Sequence, residues 1–192
     1  MKLALQSTLY VLVLTLLLGV AYPAAVTLVS QLAWPDQANG SLVTRGGGTV
    51  GSRLIGQRFA APSYLHPRPS AAGRDGYDPR ASGGRNKGPT DRGLAEAIAA
   101  AVKAAREDRP GDTRPVPADL VTASASGLDP HISPDAAFWQ AARVAGARGI
   151  SEAQVEEVIR RHVEPRTFGI LGEPRVNVLL TNLDLDTTFP RP

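Results

Sequence analysis

Cysteine is absent from all 192 residues, which excludes a disulfide framework and any thiolate metal site, so a folded domain here must hold together by packing alone. Aromatic residues make up only 5% of the chain, too few to supply the stacking platforms that single-stranded nucleic acids require. Charge of one sign is also scarce: 21 Lys and Arg against 18 Asp and Glu leave a formal +3. The arginines are scattered, whereas nucleic-acid binding needs a concentrated basic face. Neither an internal repeat nor a sustained heptad is present. The most informative absence is local, since no charged residue stands between Lys2 and Asp36.

Within that uncharged stretch, Leu9 to Val29 reads LYVLVLTLLLGVAYPAAVTLV, 21 residues. At about 1.5 Å of rise each, a helix of that length covers the roughly 30 Å hydrocarbon core of a bilayer. This predicts a transmembrane helix over about 9–29 inside a membrane anchor of residues 1–35. A cleaved signal peptide is the competing reading. The single basic residue Lys2, apolar character that runs on to Ala33, and Pro23 just beyond the small-x-small site Gly19-Val20-Ala21 favour a retained anchor. Pro23 removes one helical hydrogen bond, which is tolerated in a membrane when a neighbour satisfies the freed carbonyl. Gly19, Ala21, Ala24, Ala25 and Ser30 would let another helix come close, although small residues are also common in membrane helices generally. Pro23 is accordingly a candidate partner contact. Lys2 and the amino terminus are the only positive charges before the span, and they place residues 36–192 outside the cytoplasm.

That exported portion suffices for one modest domain. Trp34-Pro35 sets an aromatic ring at the interface, and Asp36 to Thr44 reads as a polar exit loop around Asn39-Gly40. Arg45 to Gln57 suits a tight turn followed by a short strand at Leu54-Ile55. Residues 58–90, rich in Pro, Gly, Ser, Arg and Tyr, show no period and predict an irregular segment that is either disordered or held by a partner. Asp91 then caps a helix with Leu94, Ile98, Ala101, Val102 and Ala105 on one face. Ser133-Pro134 opens a second helix, which buries Phe138, Ala141, Ala142 and Ala145 and stops at Arg148-Gly149. Ser151-x-x-Gln154 opens a third, with Val155, Val158, Ile159 and His162 at helical intervals and His162 packed in the core. Pro117–Ser124 and Arg175–Asp186 read as strands. The expected fold class is α+β: one N-terminal transmembrane helix followed by a small soluble α+β domain.

No motif supplies chemistry of its own. Gly46 to Arg53 has P-loop glycine spacing, but Ser52-Arg53 stands where Lys-Ser/Thr must reach phosphate and magnesium. Gly83-Gly84-Arg85-Asn86-Lys87 could offer backbone donors and a cation to an anion, as glycine-rich nests do, or be only a surface turn. His66, His131 and His162 form no metal-binding pair, so no metal site is expected. Ser124, Ser126 and Ser133 lie near Asp129 and His131 in sequence, yet no G-x-S-x-G elbow is present. Asp129 and Ser133 are explained as capping groups before a helix, and Asp184 with Asp186 as a solvated strand edge.

Several phrases together resemble the C subunit of the Kdp-type potassium-transporting ATPase of bacteria. They are Tyr22-Pro23, QANGSL (37–42), LIGQ (54–57), RPSA (68–71), Ser82-Gly83-Gly84 with Asn86, DLVTASASGLDPHISP (119–134), Arg143-Val144-Ala145 with Arg148, LGEPRVNV (171–178) and NLDLD (182–186). Leu65-His66-Pro67 and Arg85 depart from the family's usual pattern. The resemblance implies a non-catalytic accessory subunit of a high-affinity potassium-uptake pump in the bacterial inner membrane. Its partners would be a potassium-pathway subunit and an ATP-hydrolysing subunit, and its role would be to assist assembly and raise the latter's affinity for ATP. It would hold no cofactor of its own, with ATP entering only through the complex. Gln57, Ser82, Gly83, Gly84 and Asn86 are the candidate nucleotide contacts, and Arg68, Asp129, Glu173 and Arg175 the candidate contacts to the potassium-pathway subunit. A head outside the cytoplasm sits awkwardly with direct contact to cytoplasmic ATP, which leaves transmission through membrane helices or the opposite orientation. A free-standing membrane-tethered binding or chaperone protein is the alternative function, and a tethered hydrolase a third.

Overall fold

The computed structural model describes residues 1–190. The chain separates into two compact units, Met1–Val50 and Gly51–Pro192.

The first unit is built on an apolar rod. Helix α1 (Lys2–Leu16) passes through a π-helical turn (Leu17–Ala21) into α2 (Tyr22–Ala33). Together they make one helix long and apolar enough to cross a membrane, with none of it buried within the protein. The π turn falls just ahead of Pro23 for a physical reason. Proline has no N–H to offer the carbonyl four residues back and its ring crowds that carbonyl, so the ladder widens to i→i+5 bonding there. The Tyr22 amide accordingly reaches Leu17 O. Trp34 leaves helical geometry and the short helix α3 (Pro35–Ala38) follows. Asn39 secures this corner: its amide exchanges hydrogen bonds of 3.1 and 3.2 Å with Gln31 and donates to Pro35 O at 2.7 Å. The expected exit loop, Asp36 to Thr44, thus begins in a helix and ends in a strand. Strands β1 (Leu42–Arg45) and β2 (Gly48–Ser52) pair in a hairpin. Its two-residue turn needs positive φ at both positions, which Gly46 and Gly47 supply at 60° and 81°. The strand therefore precedes Leu54-Ile55, which are exposed in a turn.

The second unit is α+β. Helices α4 (Arg92–Glu107), α5 (Pro134–Trp139), α6 (Ala141–Arg148), α7 (Glu152–Arg161) and α8 (Val178–Thr188) accompany a three-stranded antiparallel sheet. The sheet, β3 (His131–Ile132), β4 (Val163–Glu164) and β5 (Arg175–Asn177), has order β3-β5-β4, with Val176 opposite both Ile132 and Val163. Leu65, Ile132, Val144, Val155, Ile159, Val176 and Leu185 fill the core. The helix starts follow their caps: Asp91 accepts from Leu94 N, Ser133 from Ala136 N, and Ser151 with Gln154 closes a full capping box.

Several expectations about these elements change. The helix begun at Ser133 breaks at Gln140 into α5 and α6, and its buried face is Ala136, Ala137, Trp139, Ala141, Val144 and Ala145, with Phe138 and Ala142 only partly covered. Pro117–Ser124 is a 3₁₀ turn (Ala118–Leu120) and loop. Arg175–Asp186 is a strand for only three residues. Asn177 then caps α8 by accepting from Leu180 N at 3.1 Å, and Val178, Thr181, Asn182 and Leu185 face inward at helical spacing. Asp184 and Asp186 therefore lie on a helix and each is engaged. Asp186 receives Arg148 at 2.9 Å and Tyr64 at 2.7 Å, while Asp184 meets His162 at 3.0 Å. His162 follows the last turn of α7 partly exposed, rather than sitting in the core.

Residues 58–90 form no helix or strand, and side chains from the helices grip their backbone. Asn182 accepts from Leu65 N at 2.8 Å and donates to Leu65 O at 2.9 Å. Gln140 does the same to His66, at 2.8 and 3.0 Å. Each amide imitates one rung of a β-ladder, satisfying buried backbone groups that no strand neighbour reaches. Arg148, with its side chain fully buried, donates to Ser63 O, Leu185 O and Phe189 O. The segment is thus ordered by the domain's own helices.

Candidate functional site

Distant segments of the second unit meet along the loop from Val121 to Pro130. Gly83 N and Ser82 Oγ both donate to Ser126 O, at 2.8 and 3.0 Å. Ser70 Oγ donates to Gly127 O at 2.6 Å, and Gly56 N to Leu128 O at 2.8 Å. Backbones can lie this close only where a side chain is missing. A Cβ on Gly127, whose φ is +66°, would come within 2.6 Å of Gly83 O, and one on Gly56 within 2.6 Å of Asp129 O.

Arg68 lies along the same loop. It donates to Thr122 O, Thr122 Oγ1 and Ala123 O at 3.4 Å each, and its Nη1 stands 3.5 Å from Asp129 Oδ2. Asp129 also accepts from His131 N at 2.9 Å, with His131 Nδ1 at 3.5 Å. Burial works to raise the Asp129 carboxyl, but the hydrogen bonds from His131 and the charges of His131 and Arg68 outweigh it and hold it below the ordinary aspartate range. Tyr77, which donates to Arg68 O at 2.5 Å, is pushed up to about 12 by burial.

The candidate nucleotide contacts are brought only partly together. Gly84 and Asn86 line a cavity of about 300 Å³ with Arg85, Lys87, Leu94, Ile98 and Thr122. That is the lower end of the range for a site enclosing a small ligand. Ser82 and Gly83 have given their donors to Ser126, and Gln57 packs its carboxamide against Gly51. The five therefore do not converge on one ligand. Among the candidate partner contacts, Arg68 and Asp129 pair with each other, Glu173 with Arg166 at 2.6 Å and Arg175 with Glu164 at 2.9 Å. Pro23 lies in the rod. A larger open cleft, about 840 Å³, runs between Arg114-Pro115 and the Phe138, Trp139 and Arg160 side chains.

The serines do not meet the histidine as a triad requires. Ser126 Oγ accepts from Leu128 N, Ser133 Oγ from Ala136 N, and Ser124 Oγ lies 3.4 Å from Ser126 Oγ. The His131 ring faces Asp129 and Asn177. Among the described residues no group of three or more His, Asp or Glu is placed to hold a metal.

A feature the sequence reading passed over is the turn between β4 and β5. Thr167 and Leu171 exchange backbone hydrogen bonds of 2.9 Å and close a loop on which Phe168, Ile170 and Leu171 project at 88%, 75% and 57% exposure. The available signal was TFGILG, six uncharged residues between Arg166 and Glu173.

A single helix of membrane-spanning length and apolarity, joined to a small α+β head, fits a single-pass membrane protein. The family model described as "K+-transporting ATPase, c chain" matches residues 4–187. The chain is 58% identical over 177 residues to the potassium-transporting ATPase KdpC subunit of Rhodospirillum rubrum, covering 92% of this chain and 91% of that one. It is 56% identical to the KdpC subunit of Myxococcus xanthus over 97% of this chain and 87% of the relative. Against that of Methylibium petroleiphilum it is 53% identical over 99% of this chain and 100% of the relative. The chain belongs to the KdpC family, the c chains of K+-transporting ATPases.

Proposed function

We propose that this protein is a non-catalytic accessory subunit of an ATP-driven potassium-uptake pump in a bacterial inner membrane. Family membership over almost the whole chain carries the reading. The rod ties the subunit to a potassium-pathway subunit and an ATP-hydrolysing subunit, Pro23 marking one contact. The head, residues 36–192, stands outside the cytoplasm, in accord with the basic Lys2 ahead of the span. Arg68, Asp129, Glu173 and Arg175 face the potassium-pathway subunit through their ion-paired surfaces. The subunit promotes assembly and raises the pump's affinity for ATP.

With the head outside, that gain in affinity travels through the membrane helices. With the head inside, Gly84 and Asn86, backed by Arg85 and Lys87, are the residues best arranged for a phosphate. Two measurements test the proposal. Purification of the full chain in mild detergent should recover a large polytopic membrane protein with it, and recovery of the chain alone would overturn the pump reading in favour of a free-standing tethered protein. Protease should reach the head in sealed vesicles only from the extracytoplasmic face, and cleavage from the other face would reverse the orientation.

A further inference from the structure

The loop closing β4 to β5 presents an apolar tip with no use inside the fold. Phe168, Ile170 and Leu171 are among the most exposed large hydrophobic side chains of the second unit. Scaled by ordinary side-chain areas, they offer on the order of 400 Å² of apolar surface, the size of the largest patch a soluble monomer usually tolerates. The backbone is committed to this display. Phe168 holds φ +55°, a left-handed conformation costly for a side chain with a Cβ, and Gly169 and Gly172 follow at +76° and +74°. Below the tip, Arg166–Glu173 at 2.6 Å and Arg175–Glu164 at 2.9 Å brace the two arms.

We propose that this tip, Phe168 to Leu171, inserts into the interfacial region of the bilayer that the chain's own helix occupies. Three observations select lipid as the occupant. The tip is convex and narrow, and its area is about half of the roughly 800 Å² per partner that a stable protein interface buries. It needs no free-standing affinity, because a head tied to a membrane helix is already held at high effective concentration beside the surface. Both arginines flanking it are paired to carboxylates, so the attraction is apolar insertion rather than pairing with anionic headgroups. Neutral lipid therefore suffices, and salt has little effect.

The absence of cysteine makes the test direct. Ile170→Cys, and separately Arg92→Cys at an exposed position of α4, are each labelled with an environment-sensitive dye in the full-length chain. The chain is reconstituted by itself in phosphatidylcholine vesicles with iodide on both sides. The expected result is that the label at 170 is severalfold less quenched by iodide than the label at 92, and is quenched by nitroxide-bearing lipid while the label at 92 is not. Adding Phe168→Ser and Leu171→Ser should abolish lipid quenching at 170 while the near-UV circular dichroism of the chain stays unchanged. Equal iodide quenching at both positions overturns the proposal. So does a label at 170 shielded from iodide yet untouched by lipid nitroxide, which would mean that a second copy covers the tip. Because the chain is tested alone, the outcome is independent of the pump reading.

Discussion

The amide of Asn182 carries more of the head's order than its size suggests, and replacing it isolates that contribution. Leu65 is fully buried and Asn182 is 1% exposed, so water cannot take over either bond when the amide is removed. Asn182→Ala orphans both the N–H and the C=O of Leu65. At about 1–3 kcal/mol for each buried polar group left without a partner, the cost should be about 2–6 kcal/mol, a large part of the margin on which domains of this kind stand. Asn182→Asp sharpens the argument. As a carboxylate it still accepts from Leu65 N but opposes Leu65 O, whereas as a protonated acid it can donate to that oxygen and replace the amide. Its folded-state pKa must therefore lie above the unfolded value of about 4. The deficit relative to wild type should be largest near neutral pH and shrink as pH falls through the raised folded value. Urea unfolding of the detergent-solubilised chain, followed by Trp139 fluorescence with Trp34→Phe to silence the other indole, measures both variants. Trp139 is a suitable reporter at 3% exposure. A cost under about 1 kcal/mol for the alanine variant, or an aspartate deficit that does not change with pH, would refute the view that these paired amides order the segment.

Other consequences follow from the same geometry. Gly127→Ala must hold φ +66° and place its Cβ 2.6 Å from Gly83 O and 2.7 Å from Ala72 N. About 1–2 kcal/mol for the left-handed backbone and about 1–3 kcal/mol for the overlap predict a loss that the same urea assay reads. At Asp184 burial works to raise the carboxyl, but hydrogen bonds from Thr188 and His162 and the charge of Arg161 hold it below the ordinary range. Its stabilisation is present above the unfolded aspartate value of about 4 and lost as pH falls through the depressed one, so Asp184→Asn should flatten the acid limb of stability there. Pro23→Leu should leave membrane insertion intact while weakening recovery of the pump complex; equal recovery would remove any packing role for the kink.

What could be read from the residues was whatever is decided locally. Asp91, Ser133 and Ser151 mark helix starts because a cap is settled within three residues, and the rod is legible because lipid imposes a length and forbids charge. The segment 175–186 was misread because Val176, Val178 and Leu180 alternate as a strand does, while the deciding signal was Asn177 as a cap with Val178, Thr181, Asn182 and Leu185 at helical intervals. Gln140 and Asn182 gave no local hint of their purpose, since the backbone each one holds lies 74 and 117 residues away. For the same reason residues 58–90 looked unsupported: their supports are encoded elsewhere in the chain. Of the candidate site, Gly56 and Gly127 were not singled out, because the carbonyls they approach, Asp129 O and Gly83 O, lie far along the chain.

The widened turn at Leu17–Ala21 changes how the rod can be gripped. It acts as one inserted residue, which at 3.6 residues per turn swings everything after it by about 100° around the axis. A neighbour running straight along the first half would lose its stripe at the bulge. The rod is therefore keyed in two directions, and any span that follows its whole length has to take up that offset.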